Sequence, residues 1–428
     1  MPHITSRLSP MLTVYVANTA SLFLAFKAAA LTLSTSENVL LLSIHSVSVF
    51  VSQVSDLGYS RPANRNLAQR PQIAEQAKYY YSVNFQRFLI MLVCLPLACV
   101  FMPVSGQPLV LILAALLVVG LSLRSPWLVA ATPKLFRAYT LSEILFSSLA
   151  AGVFVAIILL DYHPTLIVVL SIVVAARLGP VILISERLFR YVSSAAVLRF
   201  DRDIFRESLA SLGIKVIMLG SHYSNGFFVV MLFTQSEVGL YLQADKLFYA
   251  GVGSFAFLSQ EVVRLAAAGH FKRVPWYVAA IICFPVFAVL AIAFAIAAPF
   301  FLKLVFSEVY VAAAEPLRWM LMGFPLVATN MILANAYLHH RRHDGYIVKA
   351  ACYAALGNLL TLTAVYFMMQ PNAAAFGVIT SEGAALAFLI SVLRKGAHIE
   401  ADSASRPDER CLAPSISQHQ PKMANGGL

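Results

Sequence analysis

Charged residues are scarce in this sequence. They make up 12% of its 428 residues, about half the share that a soluble domain needs to cover its surface. Hydrophobic residues make up 60%, and the mean hydropathy is +0.77, so most side chains must face lipid or other helices. Because lipid cannot satisfy backbone polar groups, spanning segments must be helical. The sequence therefore predicts an all-α polytopic membrane protein.

Cysteines and catalytic motifs are also sparse. Of the five cysteines, four lie in apolar runs and one lies near the C-terminus, and none has metal-ligand spacing. We find no glycine-rich phosphate loop, no paired-acid motif on a soluble domain and no nucleophile elbow. The sequence thus predicts a protein that is not an enzyme and has no catalytic residue, metal site or resident cofactor. Coupling to protons or sodium ions stays open.

Long apolar runs are what the sequence has in abundance. A helix needs roughly 20 apolar residues to cross the ~30 Å hydrocarbon core of a bilayer. Twelve runs approach or exceed that length, the second and fourth being the shortest. They are Pro10–Leu31, Val39–Val54, Phe88–Val104, Pro108–Leu123, Leu141–Leu160, Thr165–Ile184, Leu212–Phe233, Val238–Phe257, Val274–Phe300, Leu317–Tyr337, Ile347–Met368 and Ala373–Val392.

The connecting loops alternate in charge, which predicts the orientation. The basic loops are Arg61–Lys78, Arg124–Arg137, Arg187–Arg206, Arg264–Arg273, Arg341–Lys349 and the tail from Arg394. The opposite loops are short and acidic or neutral, with Lys303 as the exception. Basic loops face the cytoplasm, so we expect a bacterial inner-membrane protein with both termini inside. The net charge of +11 then reflects these loops and contact with membrane lipids, not nucleic acid.

The chain divides into two equal sets of helices. Thr35-Ser-Glu37 follows the first run and Gln235-Ser-Glu237 follows the seventh, which suggests two parallel repeats. We expect two six-helix bundles around a central cavity, over residues 1–190 and 208–395. A cytoplasmic linker, 191–207, would join them, and 396–428 would be a disordered tail. Ala74–Tyr81 is either a short interfacial helix or a solvated loop.

Ionisable residues inside the runs are the strongest functional signal, because each costs at least ~2.5–3.5 kcal/mol at a helix centre. Five of the 31 Lys and Arg residues lie within or at the edge of a run: Lys27, Arg177, Lys215, Lys246 and Arg318. The clear acids are Asp245 and Glu382, with Asp56 and Glu143 near inner ends. This excess of positive charge predicts a cavity for an anion such as a phosphate or diphosphate.

Each of these residues has a simpler interpretation. Lys27 and Lys215 could extend to the interface, and Arg318 could lie at the outer interface. Asp245 and Lys246 diverge by about 100° on a helix and need not face one cavity. Glu382 could neutralise a lysine or bind a coupling ion. His45 and His222 could relay protons or be structural. Arg177 is the strongest candidate for a cavity cation.

Four short patterns resemble a known family. They are Val238-Gly-Leu-Tyr-Leu-Gln-Ala-Asp-Lys246; Asp56-Leu-Gly-Tyr59 with Asn64–Ala68; Asp344-Gly-Tyr346 with Gly357–Leu360; and Ala375-Phe-Gly-Val-Ile-Thr-Ser-Glu382. Together with the twelve-run arrangement from about Leu8 to Lys395, they resemble the polysaccharide-transporter flippases of the multidrug/oligosaccharidyl-lipid/polysaccharide exporter superfamily. The acidic residues differ from the family's pattern, because they do not match a complete ion-coupling site.

The resemblance implies alternating access by two bundles. The cargo would be an oligosaccharide on a polyprenyl diphosphate, moved for O-antigen or exopolysaccharide synthesis, with a glycan polymerase and other assembly proteins as expected partners. One alternative is a multidrug or cation antiporter of the same superfamily, which should have a cavity dominated by carboxylates. Another is a membrane-embedded glycan polymerase or ligase. The largest outer loop, about Phe300–Pro316, is short for such an enzyme.

Overall fold

The regular secondary structure of the described residues is helical. The computed structural model describes residues 2–56, 58–60, 63, 66–67, 70, 72–101, 107–125, 128, 131–192, 200–209, 224–234, 237–252, 275–334, 337, 344–368 and 374–404. No strand is present within these ranges. The chain divides into two units, Met1–Leu389 and Ile390–Leu428, and the first contains nearly all of the predicted spans.

Every predicted run contains a helix. The first six are α1 (Pro2–Thr32), α2 (Thr35–Asp56), α3 (Ile73–Phe101), α4 (Pro108–Leu123), α5 (Pro133–Leu159) and α6 (Leu166–Phe189). The second six are α7 (Ser224–Leu232), α8 (237–252), α9 (Trp276–Val305), α10 (Ala314–Leu333), α11 (Asp344–Met368) and α12 (Phe376–Ala404). A short helix over 202–209 lies between the two sets, and a 3₁₀ helix, Glu308–Ala313, joins α9 to α10.

Seven of these helices are long and apolar enough to cross a membrane by length and composition. They are α1, α2, α5, α6, α9, α11 and α12, with mean hydropathy between 1.4 and 2.8 in their most apolar stretches. α9 is the most apolar, and most of its surface is not buried by the rest of the protein. In water that surface would be unfavourable, whereas lipid solvates it. The chain is therefore a multi-pass membrane protein.

Two helices extend more than ten residues beyond their predicted runs. α3 begins at Ile73, fifteen residues before the predicted Phe88, so Ala74–Tyr81 is neither a solvated loop nor a separate interfacial helix. Its Ala77 and Tyr80 are buried against Tyr59 and other apolar residues, and this packing stabilises the early turns. At the other end, α12 continues through 396–404, the first part of the expected disordered tail. Residues 405–428 lie outside the described ranges.

The two halves meet along α2, which packs against α7 and α8. The rings of Phe50 and Phe227 stack with their centroids 4.3 Å apart. Gly239 lies so close to Val39 that a Cβ there would be 2.6 Å from Val39 Cγ2. Near the N-terminal end of α2, Asn38 donates a hydrogen bond to the Tyr310 hydroxyl. α2 is therefore the central element between the halves.

Gly357 is expected to be intolerant of even one methyl group. A Cβ at this position of α11 would lie 2.8 Å from the backbone oxygen of Thr380 on α12, which cannot rotate away. Small residues allow this close helix contact. Gly357→Ala should therefore lower the thermal unfolding midpoint in detergent. Gly345→Ala on the same helix meets nothing within 4 Å and should leave the midpoint unchanged or raise it, since Ala favours helix. Equal midpoints for both variants would contradict this contact.

Candidate functional site

Arg177 lies inside the first half of the molecule and is buried. Its guanidinium donates to the side-chain oxygen of Asn18 and, at 3.4 Å, to the Asn18 backbone oxygen. Ser147 also donates to the Asn18 side-chain oxygen, at 2.9 Å. No carboxylate among the described residues makes a hydrogen bond or ion pair with Arg177. The buried Arg177 cation is therefore hydrogen-bonded to neutral oxygens of Asn18.

A second guanidinium lies beside it. Arg124, which the sequence assigned to a cytoplasmic loop, forms a bidentate pair with buried Glu143. The distances are 2.8 Å from Nε to Oε1 and 2.7 Å from the second nitrogen to Oε2. Glu143 also accepts from Asn18 at 3.1 Å. We call Asn18, Arg124, Glu143, Ser147 and Arg177 the Arg177 cluster; with two cations and one anion, its formal charge is +1.

Lys246 is paired within its own helix. Its ammonium lies 3.2 Å from Oδ2 of Asp245, and both side chains are largely buried. A Cβ on Gly226 of α7 would be 3.6 Å from Asp245 Oδ2 and 3.7 Å from Ser46 of α2. The pair therefore lies where α2, α7 and α8 meet. Although the two residues are sequence neighbours, both side chains reach the same interior region.

His45 links the two groups of charges. It lies on α2, buried, with its ring edge-on to Phe26 at a centroid distance of 5.4 Å. Its Nδ1 has no hydrogen-bond partner within the described ranges. α2 packs against α6, which carries Arg177, and its Ser46, next to His45, lies beside the same Gly226 of α7 as Asp245.

The other predicted site residues have different surroundings. Lys27 donates to the Leu304 backbone oxygen in the last turn of α9, where a cation satisfies exposed carbonyls. Arg318 is exposed and donates to the Ala295 backbone oxygen at 3.1 Å. Glu382 accepts from Asn330 at 2.8 Å inside the second half. Lys215 and His222 lie outside the described residues.

A buried ion pair stabilises the C-terminal end of α2. Arg87 on α3 lies 3.4 Å from Asp56, and Ser60 donates to the same carboxylate oxygen at 2.7 Å. Arg87 also donates to the Arg124 backbone oxygen at 3.0 Å. This pair therefore positions the chain segment that carries Arg124 into the Arg177 cluster.

Residues 201–209 are attached to the same end of α2 and α3. Tyr59 donates to Gln86 at 2.8 Å, and Gln86 donates to the Asp201 backbone oxygen at 2.9 Å. Burial raises the pKa of Tyr59 to about 12, so the hydroxyl stays protonated and keeps donating at physiological pH. Asn66 donates to Glu207 of the short helix over 202–209, at 2.6 Å. Asp201 and the short helix over 202–209 therefore pack against residues of the first half.

The polar residues that the sequence prediction missed, and that the structure buries at least in part, include Asn18, Arg124 and Gln243. Asn18 and Arg124 belong to the Arg177 cluster, and Gln243 is fully buried with neither side-chain atom hydrogen-bonded to the described residues. Glu143 is the feature of the sequence that could have indicated a buried role for Arg124, because a buried carboxylate requires a cation. Asn18 and Gln243 carry no charge and gave no comparable signal. In the described part of the chain, no group of three or more His, Cys, Asp or Glu residues could hold a metal ion.

Solved structures of similar shape identify the fold. A multidrug resistance MATE family transporter of the MOP superfamily, inward-facing, aligns with a TM-score of 0.59 at 14% identity over 94% of this chain and 99% of that chain. The lipid II flippase MurJ, in an inward closed conformation, aligns with a TM-score of 0.60 at 13% identity over 90% and 87%. The chain has the same fold as these transporters.

This confirms the predicted fold class, a twelve-helix membrane protein of two six-helix bundles around a central cavity. A third similar structure is a MOP superfamily transporter from Pyrococcus furiosus, described as having a binding pocket of reverse polarity. It aligns with a TM-score of 0.54 at 12% identity over 92% of this chain and 97% of that chain. No protein-family model and no curated protein sequence matches the chain. At these identities the likeness establishes the fold alone, and the domain boundaries stay predictions.

Proposed function

We propose that this protein is a flippase for a polyprenyl-diphosphate-linked oligosaccharide. It would act in the bacterial inner membrane, with both termini in the cytoplasm, and supply O-antigen or exopolysaccharide synthesis. Two bundles, 1–190 and 208–395, would open alternately to the two sides. A lipid II flippase that shares the fold supports a lipid-linked cargo.

The observation that carries the proposal is that buried Arg177 donates its hydrogen bonds to neutral oxygens of Asn18. A buried charge is costly unless it is paired, yet Arg177 is held by the amide oxygen of Asn18 and not by an acid. With Arg124 beside it, the cluster has an excess of one positive charge. An anion entering from the α2 side would supply the missing negative charge. Guanidinium groups match phosphate oxygens in charge and geometry.

The neighbouring charges suggest how the cargo would be held and released. A diphosphate bound near His45 would engage Arg177 from the first half and Lys246 from the second. It would compete with Asp245 for the lysine, since Asp245 lies 3.2 Å from that ammonium. When cargo leaves, Asp245 would again pair with Lys246. This exchange would let one site bind and release a strongly charged head group, while the polyprenyl chain stays in lipid.

A multidrug or cation antiporter is the second candidate, and one observation favours it. Asp245 and Glu382 are both buried, and a cationic drug could replace Lys246 as the partner of Asp245. A glycan polymerase or ligase fits less well. The outer connections that the structure describes are short, with six residues, 160–165, between α5 and α6 and a single 3₁₀ helix between α9 and α10.

Deletion in a polysaccharide-producing bacterium separates the three candidates. The flippase proposal predicts loss of surface glycan and accumulation of the lipid-linked repeat unit on the cytoplasmic face. The complementing gene should restore both. Accumulation on the outer face would instead indicate a polymerase or ligase. Normal surface glycan with increased sensitivity to cationic drugs would indicate the antiporter, and either result would contradict the flippase proposal.

A further inference from the structure

A groove lies away from the Arg177 cluster, at the end of the α5–α6 pair that carries Lys134 and Arg187. Its volume is about 490 Å³. Its rim carries three cations, Lys134 in the first turn of α5 and Arg187 and Arg190 at the end of α6. Its floor is apolar and includes Leu135, Leu183 and Leu188. We call this the α5–α6 groove.

The charge on the rim is largely uncompensated. The one acid that lines the groove is Glu186, so three cations and one acid leave a formal charge of +2. Glu186 lies 3.3 Å from Arg190, in an exposed pair that contributes little. Neither Lys134 nor Arg187 makes an ion pair with any residue that the structure describes. Two free cations therefore face the groove.

The shape of the groove follows from how α5 and α6 pack. Higher in the bundle the helices are in tight contact, since a Cβ on Gly179 would lie 2.2 Å from the Phe146 ring. The groove lies further along the two helices, between residues 134–138 of α5 and 183–190 of α6. Tyr191, which also lines it, is the residue type that concentrates at the headgroup level of a bilayer.

An apolar strip leads away from the cations along the surface of α5. Leu141, Leu145 and Leu149 are all exposed, and their spacing from Lys134 places them on the same helix face. In a membrane this strip contacts acyl chains. The groove thus presents cations at the headgroup level and apolar surface directly above them, which is the arrangement of an anionic phospholipid.

We propose that the α5–α6 groove binds an anionic phospholipid of the surrounding membrane. Its phosphate would lie between Lys134 and Arg187, and one acyl chain would follow the leucine strip. The site is separate from the proposed cargo site and does not depend on flippase activity. It would make the protein's function sensitive to the anionic lipid content of its leaflet.

Native mass spectrometry of the purified full-length protein in detergent tests the proposal. The protein is titrated with phosphatidylglycerol and with phosphatidylcholine. Lys134→Gln/Arg187→Gln should weaken the tightest phosphatidylglycerol binding about 10- to 30-fold, since each basic residue near a membrane surface contributes about 1 kcal/mol. The matched control, Arg137→Gln/Arg202→Gln, removes two exposed cations outside the groove and should change it less than about 2-fold.

Ala138→Trp fills the groove without changing its charge and should also weaken phosphatidylglycerol binding about 10-fold, because the chain and headgroup lose their space. Equal losses in the groove and control doubles would show diffuse surface attraction and overturn the proposal. Equally tight phosphatidylcholine binding to the wild-type protein would overturn it too. If a polyprenyl phosphate displaced phosphatidylglycerol at equal concentration, the occupant would be the cargo and the proposed occupant would be wrong.

Discussion

We expect Arg177→Ala to abolish glycan export while the protein remains at normal levels in the membrane. The substitution removes a buried guanidinium. Among the residues that the structure describes, Asn18 alone accepts hydrogen bonds from it. No buried acid loses its sole partner, because Glu143 keeps its bidentate contact with Arg124. Losing a desolvated charge contact to a phosphate costs about 2 kcal/mol or more, so cargo affinity should fall about 30-fold or more.

The matched control is Arg318→Ala. Arg318 is also an arginine in a spanning helix, but it is exposed and contacts the backbone of α9, so glycan export should stay near the wild-type level. Arg177→Lys keeps the charge and loses the planar fork, and an intermediate rate is expected. Export should be scored as surface glycan per unit of membrane protein. Full activity of Arg177→Ala would remove Arg177 from the cargo site.

Asp56→Ala should produce the largest loss of stability among simple ion-pair variants. Asp56 and Arg87 are only 5% and 4% exposed, so removing the carboxylate leaves a buried, uncompensated guanidinium. Such a loss costs about 3–5 kcal/mol. Arg87 also positions the Arg124 segment, so glycan export should fall together with the unfolding midpoint measured in detergent.

Glu186→Ala is the comparison for this variant. It also breaks an acid–arginine pair, but Glu186 and Arg190 are 63% and 75% exposed. Exposed pairs of this kind contribute about 0.3–0.5 kcal/mol, so the midpoint should hardly move. Asp56→Leu/Arg87→Met should recover much of the stability, since it removes both charges. A midpoint for Asp56→Ala equal to that of Glu186→Ala would contradict the buried-pair account.

The spanning helices were predictable because their cause is local. Each needs about twenty apolar residues in a row, and loop charges then order the runs. The early start of α3 was not predictable in this way. Residues 73–87 are polar enough to read as a loop, and their helix is stabilised by contacts between Tyr80 and residues distant in sequence.

The candidate site was predictable only where a charge is unusual for its place. Arg177 and the Asp245–Lys246 pair stood out because ionisable residues are rare in spans. Arg124 did not, since an arginine between two spans looks like any inner loop residue. Its role arises from Glu143, 19 positions away in sequence, and Asn18 reaches Arg177 across 159 positions. No local pattern contains such pairings.

The most direct test of the central claim, that this protein moves an anionic lipid-linked cargo, uses purified protein in proteoliposomes. A polyprenyl-diphosphate oligosaccharide with a fluorescent sugar is incorporated into both leaflets, and a membrane-impermeant quencher is added outside. We predict that wild-type protein exposes the inner-leaflet fraction to the quencher, and that Arg177→Ala leaves it protected as in protein-free liposomes. The account would be contradicted if the inner-leaflet fraction stayed protected in liposomes whose wild-type protein is folded and transports a cationic drug.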